Sequence, residues 1–396
     1  MMVSFEQALD IVMRSAVERE AERVPLVECF NRVLARDVVS DTDIPPFNKA
    51  SMDGYACRRA DLGGPLTVVD VIPAGKLPAV SRIRPGECAK IMTGAIVPDG
   101  ADCVIMVEYA AVDAGGGIRF TGFDTDDNIC PAGQDVKRGD TVLRRGELIR
   151  APHIATLATL GCAEPLVFKR PTVGVIATGS ELVEPCARIT GAQIRDSNSI
   201  QIAVQAANAG ALARSYGIVG DDRQLIRARI RQALDENDLV IVSGGVSAGD
   251  LDFVPEILEQ CGVTLLFTSV AMKPGKPATF GTTTSGGYCC GMPGNPVSSF
   301  IVFELLLKPL IYKLMGHVYT PPAVRAALGT AFRRSRTERR EAVPVKFIDP
   351  ATVVPVEFHG SAHINSLCGA DGLVFVPVGT GELKQGAPVD VRPLWT

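Results

Sequence analysis

No stretch of this chain approaches the ~20 consecutive apolar residues that a membrane helix needs, although 46% of its residues are hydrophobic. A membrane-spanning protein is therefore not expected. The opening MMVSFEQALDIVM lacks the basic region and apolar core of a secretory signal, so the expectation is a soluble, cytoplasmic chain. Histidine is scarce: of four residues only His359 and His363 are close, and Gly360 and Ser361 between them favour a loop over a helix. That argues against a histidine metal centre or a histidine-based triad. The eleven cysteines are odd in number, scattered from Cys29 to Cys368, and include no C-x-x-C. A zinc ribbon or disulfide framework is thus not expected, and the thiols read as small, reduced core residues. Positive charge is not in excess either. A net charge of -4 excludes a general phosphate-tracking, nucleic-acid-binding surface.

What is present is the composition of a folded, multidomain protein. At 396 residues the chain is too long for one ordinary core, and roughly 150 residues per domain gives about two to four domains. The organising stretch is LVIVSGGVSAGDLDF, Leu239 to Phe253. Leu239 to Val242 is an unbroken apolar run, as in a strand of a parallel sheet covered on both faces. Ser243, Gly244 and Gly245 follow in a turn that lets the backbone approach an anion, and Asp250 and Asp252 precede an apolar helix. Ligands of open α/β sheets sit at the carboxyl ends of strands, so two carboxylates here suggest Mg²⁺ on a phosphate. The alternative is a glycine-rich connection whose aspartates cap the helix.

Ser4 and Gln7 fit a capping box for a first helix, with Leu9, Val12, Met13 and Ala16 at helical spacing. Asp53-Gly54 is a turn signal that either fixes one exposed carboxylate or closes an ordinary hairpin. From Leu66 to Val107 short β-like runs alternate with Pro and Gly, as in an all-β subdomain, within which Thr93-Gly94 offers a hydroxyl beside a glycine. Ala151 to Gly161 reads as a short helix ending at glycine. From Thr172 the rhythm becomes strand, loop, helix, which implies a doubly wound α/β domain. Strands are predicted at Val173 to Ala177, Ala211 to Val219, Leu239 to Val242, Thr264 to Ala271 and Tyr288 to Met292. Helices are predicted at Ser199 to Asn208, Asp222 to Leu234, Val254 to Gln260 and Phe300 to Leu307. Ser180 and Glu181 lie in the first loop of this domain; Asp222 reads as a helix cap, leaving Asp221 as the functional candidate. Lys273-Pro-Gly-Lys276-Pro holds two ammonium groups on a stiff backbone, a clamp for phosphate or another oxyanion. Pro293 and Pro296 stiffen a turn before the last helix. The arginine-rich segment Arg333 to Arg340 reads as a solvated edge strand opening a small β domain.

In their order, PPF followed by SMDGYA, then IMTGA, ATGSELVEP, DSNS, GIVGDD, SGGVSAGDLD, KPGKP and MPGNPVS resemble the molybdopterin molybdenumtransferase family, which includes the carboxy-terminal domain of gephyrin. The resemblance runs from the first helix to about Leu394. It implies an enzyme that inserts molybdate into adenylated molybdopterin and releases AMP with the help of Mg²⁺. It also implies an elongated homodimer, with the adenylyltransferase and acceptor molybdoenzymes as further partners.

The implied fold is α/β plus β: a discontinuous linking domain (1–40 and 139–170), an inserted β subdomain (41–138), a doubly wound α/β domain (171–318) and a small C-terminal β domain (319–396). Carried over by motif, Asp53, Thr93, Glu181, Asp221 and Asp252 are catalytic. Asp135, Ser180, Ser243, Gly244, Gly245, Lys273, Lys276, Pro293, Pro296 and Ser366 bind substrate, and Glu181, Asp221, Asp250 and Asp252 hold metal. Arg339 falls at a family arginine, and the inserted subdomain reaches the cleft of a partner subunit. Asn48-Lys49-Ala50 departs from the family, which commonly has an acidic residue and a serine there. Two alternatives remain: a non-catalytic scaffold of the gephyrin type, and a nucleotide enzyme such as the adenylyltransferase that shares only the α/β domain.

Overall fold

In the computed structural model, which describes residues 1–246 and 253–394, the run Leu239–Ser243 is a strand buried along its whole length. Its side chains divide by the two-residue period of a strand. Leu239 and Ile241 enter one core with Ile202, Ala206 and Ile301, while Val240 and Val242 enter another with Ile226, Ile230 and Ile257. Helices Asn198–Asn208 and Pro296–Val302 close the first core; helices Arg223–Glu236 and Val254–Gln260 close the second. With the apolar faces of helices packed on both sides, the strand has no solvated side on which polar residues would alternate.

The sheet runs, edge to edge, Leu212–Val219, Thr172–Thr178, Leu239–Ser243, Tyr288–Met292, Thr279–Thr283, Val263–Phe267. The first four are parallel, whereas Thr279–Thr283 is antiparallel to both neighbours. That strand is not among those predicted from the sequence. Its centre, Gly281, is needed because a Cβ there would stand 2.5 Å from the Thr264 carbonyl oxygen, and with glycine and threonines around it Phe280 alone gives little apolar signal. The single strand expected from Thr264 to Ala271 is instead two, Val263–Phe267 and Ser269–Val270. The break falls at Thr268, whose N–H donates to the Met1 carbonyl (3.1 Å), and the second piece pairs in parallel with Met2–Val3.

The last apolar helix also differs from expectation. Pro296–Val302 is α-helical, Phe303–Leu307 winds into a wider π-helical turn, and Lys308–Leu314 resumes. Pro309 supplies no N–H to the preceding turn, which accounts for the local rewinding.

In the C-terminal region five strands close on themselves. Arg340–Asp349 pairs with both Thr352–Pro355 and Gly372–Val376, and Val324–Leu328 with Pro388–Pro393 completes the ring. Val343, Val345, Val353, Val374 and Val391 fill it. The predicted solvated edge holds at Arg333 and Arg336, which are exposed, but not along the rest of the segment. Arg340–Glu341 is flanked on one side by Met272–Lys273 and on the other by the strand ending at Val376, and the Arg334 side chain is only 4% exposed.

The chain divides into two compact units. Met1–Ala35, Gly146–Arg150 and Glu164–Thr396 form one; Arg36–Arg145 with Ala151–Ala163 forms the other. The first unit begins with helix Phe5–Ser15, whose Ser4 and Gln7 make both bonds of a capping box. The second holds a four-stranded sheet ordered Thr67–Ile72, Glu87–Ile91, Gly54–Cys57, Cys103–Met106. Cys57, Cys88 and Cys103 are buried there, as small core residues; Cys186 and Cys368, in contrast, are exposed.

Candidate functional site

Four parallel strands end at one edge of the sheet, and the loops that leave those ends line a single cavity of about 950 Å³. Thr172–Thr178 leads to Gly179 and Glu181, Leu212–Val219 to Asp221, Leu239–Ser243 to Gly244 and Gly245, and Tyr288–Met292 to Pro293 and Pro296. The antiparallel strand brings a fifth segment. Thr279 is paired with Gly291, so this strand begins where its neighbour ends, and Lys273–Pro277 before it also lines the cavity. The strand that the sequence did not reveal is what delivers the lysine loop to the site.

The acidic wall is built by reciprocal bonds. The Ser180 N–H donates to Asp221 Oδ2 (2.9 Å), and the Asp221 N–H donates to Ser180 Oγ (2.9 Å). Ser180 therefore acts by holding Asp221 and is not itself a lining residue. Asp222 caps the following helix through Gln224 and Leu225, leaving Asp221 in the wall. The Glu181 carboxylate folds over Gly179 so closely that a Cβ at that glycine would meet Oε2 at 2.5 Å. Asp196 also lines the cavity, but its carboxylate is occupied by the N–H and hydroxyl of Ser199. Gly244 and Gly245 have φ of +97° and +66°, in the left-handed region that favours glycine.

The two lysines separate. Lys273 Nζ lies 2.8 Å from Glu341 Oε1, and Glu341, only 9% exposed, also meets Arg334. Lys273 is thereby committed to an ion pair with the C-terminal ring, whereas Lys276 is exposed and forms no ion pair among the described residues. Arg339 joins the cavity wall, its guanidinium donating to the Met272 carbonyl (3.4 Å).

Ser366 is elsewhere: it is buried and donates to the His363 carbonyl (2.7 Å). Ser361 lines the cavity in its place and accepts from Asn295 Nδ2 (2.9 Å). The turn between Gly360 and Asn365 explains this, because it faces Ser361 to the Asn295 loop and folds Ser366 inward.

Asp53, Thr93 and Asp135 belong to the second unit. Asp53 Oδ1 accepts from both the N–H and the hydroxyl of Thr93 (2.6 and 2.7 Å), and these two bonds hold its carboxyl below the usual carboxylate range. Asp135 is exposed, and its N–H donates to the Ile44 carbonyl (2.9 Å). Asp250 and Asp252 lie outside the described residues. Among the described residues no group of three or more His, Cys, Asp or Glu side chains is placed to hold a metal ion. His359 and His363 stack on each other instead (4.8 Å between rings).

Against known proteins, the chain is 35% identical over 401 residues to a molybdopterin molybdenumtransferase of Staphylococcus epidermidis, covering 98% of this chain and 95% of that one. This chain belongs to the molybdopterin molybdenumtransferase family. A family member from Staphylococcus aureus is 34% identical over 399 residues, again across 98% and 95% of the two chains. Three family models match in succession: the MoeA N-terminal region (domain I and II) over residues 3–161, the probable molybdopterin binding domain over 174–313, and the MoeA C-terminal region (domain IV) over 325–394. The crystal structure of the molybdopterin biosynthesis MoeA protein of Pyrococcus horikoshii OT3 superposes with a TM-score of 0.85 at 30% identity, covering 99% of this chain and 100% of that one. A relationship confined to the α/β domain is not favoured, because family similarity spans both units.

Part of the site is not legible in the sequence: nothing within DSNS marks Asn198 apart from its neighbours, and Glu341, the partner of Lys273, carries no local signal. Only the tertiary pairing of Met272–Lys273 with Arg340–Glu341 brings the latter two together.

Proposed function

We propose that this chain inserts molybdate into adenylated molybdopterin with release of AMP, as a homodimer and with Mg²⁺. It is a transferase of molybdenum cofactor biosynthesis. The observation that carries the reading is the convergence, on one cavity, of four strand ends and the Lys273–Pro277 loop, with the carboxylates of Glu181 and Asp221 and the cations of Lys276 and Arg339 all among its lining. A substrate with a pyrophosphate link and a second, oxyanionic reactant needs both kinds of group.

Lys276 and Arg339 offset charge on bound oxyanions, and Lys273 holds the loop that carries Lys276 to the C-terminal ring. Pro293 and Pro296 form a stiff wall, while Gly244 and Gly245 allow close backbone approach. Glu181 and Asp221 order the water that cleaves the pyrophosphate link, and one of them takes up its proton as AMP leaves. Two carboxylates also suit Mg²⁺, which is usually held by one or two protein carboxylates while phosphates and waters complete the octahedron. Glu181 and Asp221 would hold it, with Asp250 and Asp252 as further ligands by family resemblance; bound there, it supplies charge neutralisation at the pyrophosphate. Asp53, Thr93 and Asp135 are further site residues by resemblance only, Ser366 supports from within the turn that presents Ser361, and the adenylyltransferase and acceptor molybdoenzymes are proposed partners by resemblance. No helix among the described residues is long and apolar enough to cross a membrane; the cytoplasm is the proposed location.

The test is AMP release by the purified chain from adenylated molybdopterin with Mg²⁺, with and without molybdate. Molybdate-dependent AMP is the expected result; no AMP under either condition contradicts the reading.

A further inference from the structure

Three loops of the cavity meet at one side chain. Asn198 Nδ2 donates to Ser243 Oγ (2.9 Å), at the end of a central strand, and to the Gly294 carbonyl (2.7 Å), in the turn after its neighbour. Asn198 is 8% exposed and Ser243 is 3% exposed, and both line the cavity. A carbonyl oxygen can only accept, so Gly294 decides which end of the amide is nitrogen. Ser243 Oγ is then the acceptor from Asn198. Its own proton forms no bond to a protein acceptor among the described residues. The other end of the amide is a second sign that this arrangement is built for something beyond packing. Asn198 Oδ1 is buried and has no hydrogen-bond partner among the described residues, a condition that calls for an explanation, which a ligand in the cavity would supply.

We propose that Asn198 is a positioning residue, holding Ser243 so that its hydroxyl proton is aimed into the cavity and donated to an oxyanion of the bound substrate. The inference rests on the molybdate-insertion reading for the identity of that oxyanion. With one lone pair engaged by Asn198, the Ser243 proton is left free to be donated to a ligand, and the backbone that carries it is held by the bond from Thr178 Oγ1 to the Ser243 carbonyl (3.2 Å).

The test compares Asn198→Ala, Asn198→Asp, Ser243→Ala and the Asn198→Ala/Ser243→Ala pair with wild type. Affinity for AMP and for molybdate, each with Mg²⁺, is measured by calorimetry, and kcat and KM for AMP release are measured alongside. A lost hydrogen bond to a charged group corresponds to roughly a tenfold or greater weakening, expected for at least one anion in Asn198→Ala. Asn198→Asp keeps the side chain's size but offers the hydroxyl an acceptor, so it should lose about as much affinity as Ser243→Ala. In the Ser243→Ala background, Asn198→Ala should add less than about a factor of two, because the two act as one unit. Additive losses, which a merely structural role predicts, overturn the proposal. So does wild-type affinity in Ser243→Ala, an informative result even should Asn198→Ala fail to fold, and so does absence of anion binding by the wild type. Coupled losses of anion affinity in a chain that releases no AMP would leave this inference standing and reject the molybdate-insertion reading instead.

Discussion

Asp53 and Thr93 are joined by two hydrogen bonds to one oxygen: the Thr93 N–H and hydroxyl both donate to Asp53 Oδ1, at 2.6 and 2.7 Å. Both favour the ionised form, so the Asp53 carboxyl is held below its ordinary value. Its contribution to stability is therefore complete above the ordinary carboxyl pKa and is lost as pH falls through the lowered one. Thr93→Val removes the hydroxyl donor and keeps the N–H. The Asp53 pKa should rise part of the way to the ordinary value, which carboxyl-carbon NMR titration will show; an unchanged titration would mean that the hydroxyl does not bond to Asp53.

The acidic wall predicts a graded set of effects. Glu181→Gln or Asp221→Asn removes a charge from the cavity lining and, on the proposed mechanism, should slow AMP release by about 100-fold or more, equivalent to about 3 kcal/mol. Ser180→Ala removes only the Oγ that accepts from the Asp221 N–H, a neutral hydrogen bond of about 1 kcal/mol, so a loss of roughly fivefold is expected. Single-turnover kinetics on the three variants give the ranking. Equal effects from Ser180→Ala and Asp221→Asn would show that Ser180 contacts the substrate itself.

Lys273 and Lys276 should fail in different ways. Lys273→Ala leaves the buried Glu341 with Arg334 alone and should cost stability, about 1 kcal/mol given that the lysine is half exposed. Lys276→Ala should melt like wild type but bind molybdate more weakly, with the difference shrinking as salt is raised. Thermal melts and calorimetry at low and high salt separate the two. The reverse pattern would place the oxyanion at Lys273.

Gly244 combines a positive φ of +97° with a Cβ direction blocked at 2.5 Å by the Thr178 carbonyl oxygen, whereas Gly262, at φ +85°, has nothing within 4 Å. Gly262→Ala should cost about 1 kcal/mol, from backbone strain alone. Gly244→Ala adds the clash and should cost about 3 kcal/mol or distort the strand end. Urea unfolding of the two variants checks the difference; equal costs would mean that the Gly244 turn yields freely.

What was legible in the sequence was local. Val254–Gln260 and Tyr288–Met292 appear within the boundaries that their residues implied. Ser4 and Asp222 cap the helices they precede, because an apolar run and a capping oxygen act over a few residues. The order of the loop motifs pointed to the cavity at the strand ends. What was hidden depends on distant partners. Thr279–Thr283 is a strand because its neighbours make it one, and Gly281, which weakens its signal, is required by contact with Thr264. Arg340 reads as a solvated residue but lies in a strand paired on both sides, its guanidinium stacked over Phe5 and Phe375. Likewise, nothing near Asn198 in sequence announces that Ser243 and Gly294 converge on it.

The most direct test of the central claim tracks AMP and molybdenum together. Purified protein is mixed with a limiting amount of adenylated molybdopterin, excess molybdate and Mg²⁺; the reaction is quenched at intervals, and released AMP and molybdenum bound to the pterin product are measured in the same samples. If the cavity couples cleavage of the pyrophosphate link to metal insertion, the two should rise together in equal amounts, and both should be lost in Glu181→Gln. AMP appearing at the same rate without molybdate, or molybdenum entering the pterin without AMP, would contradict the account.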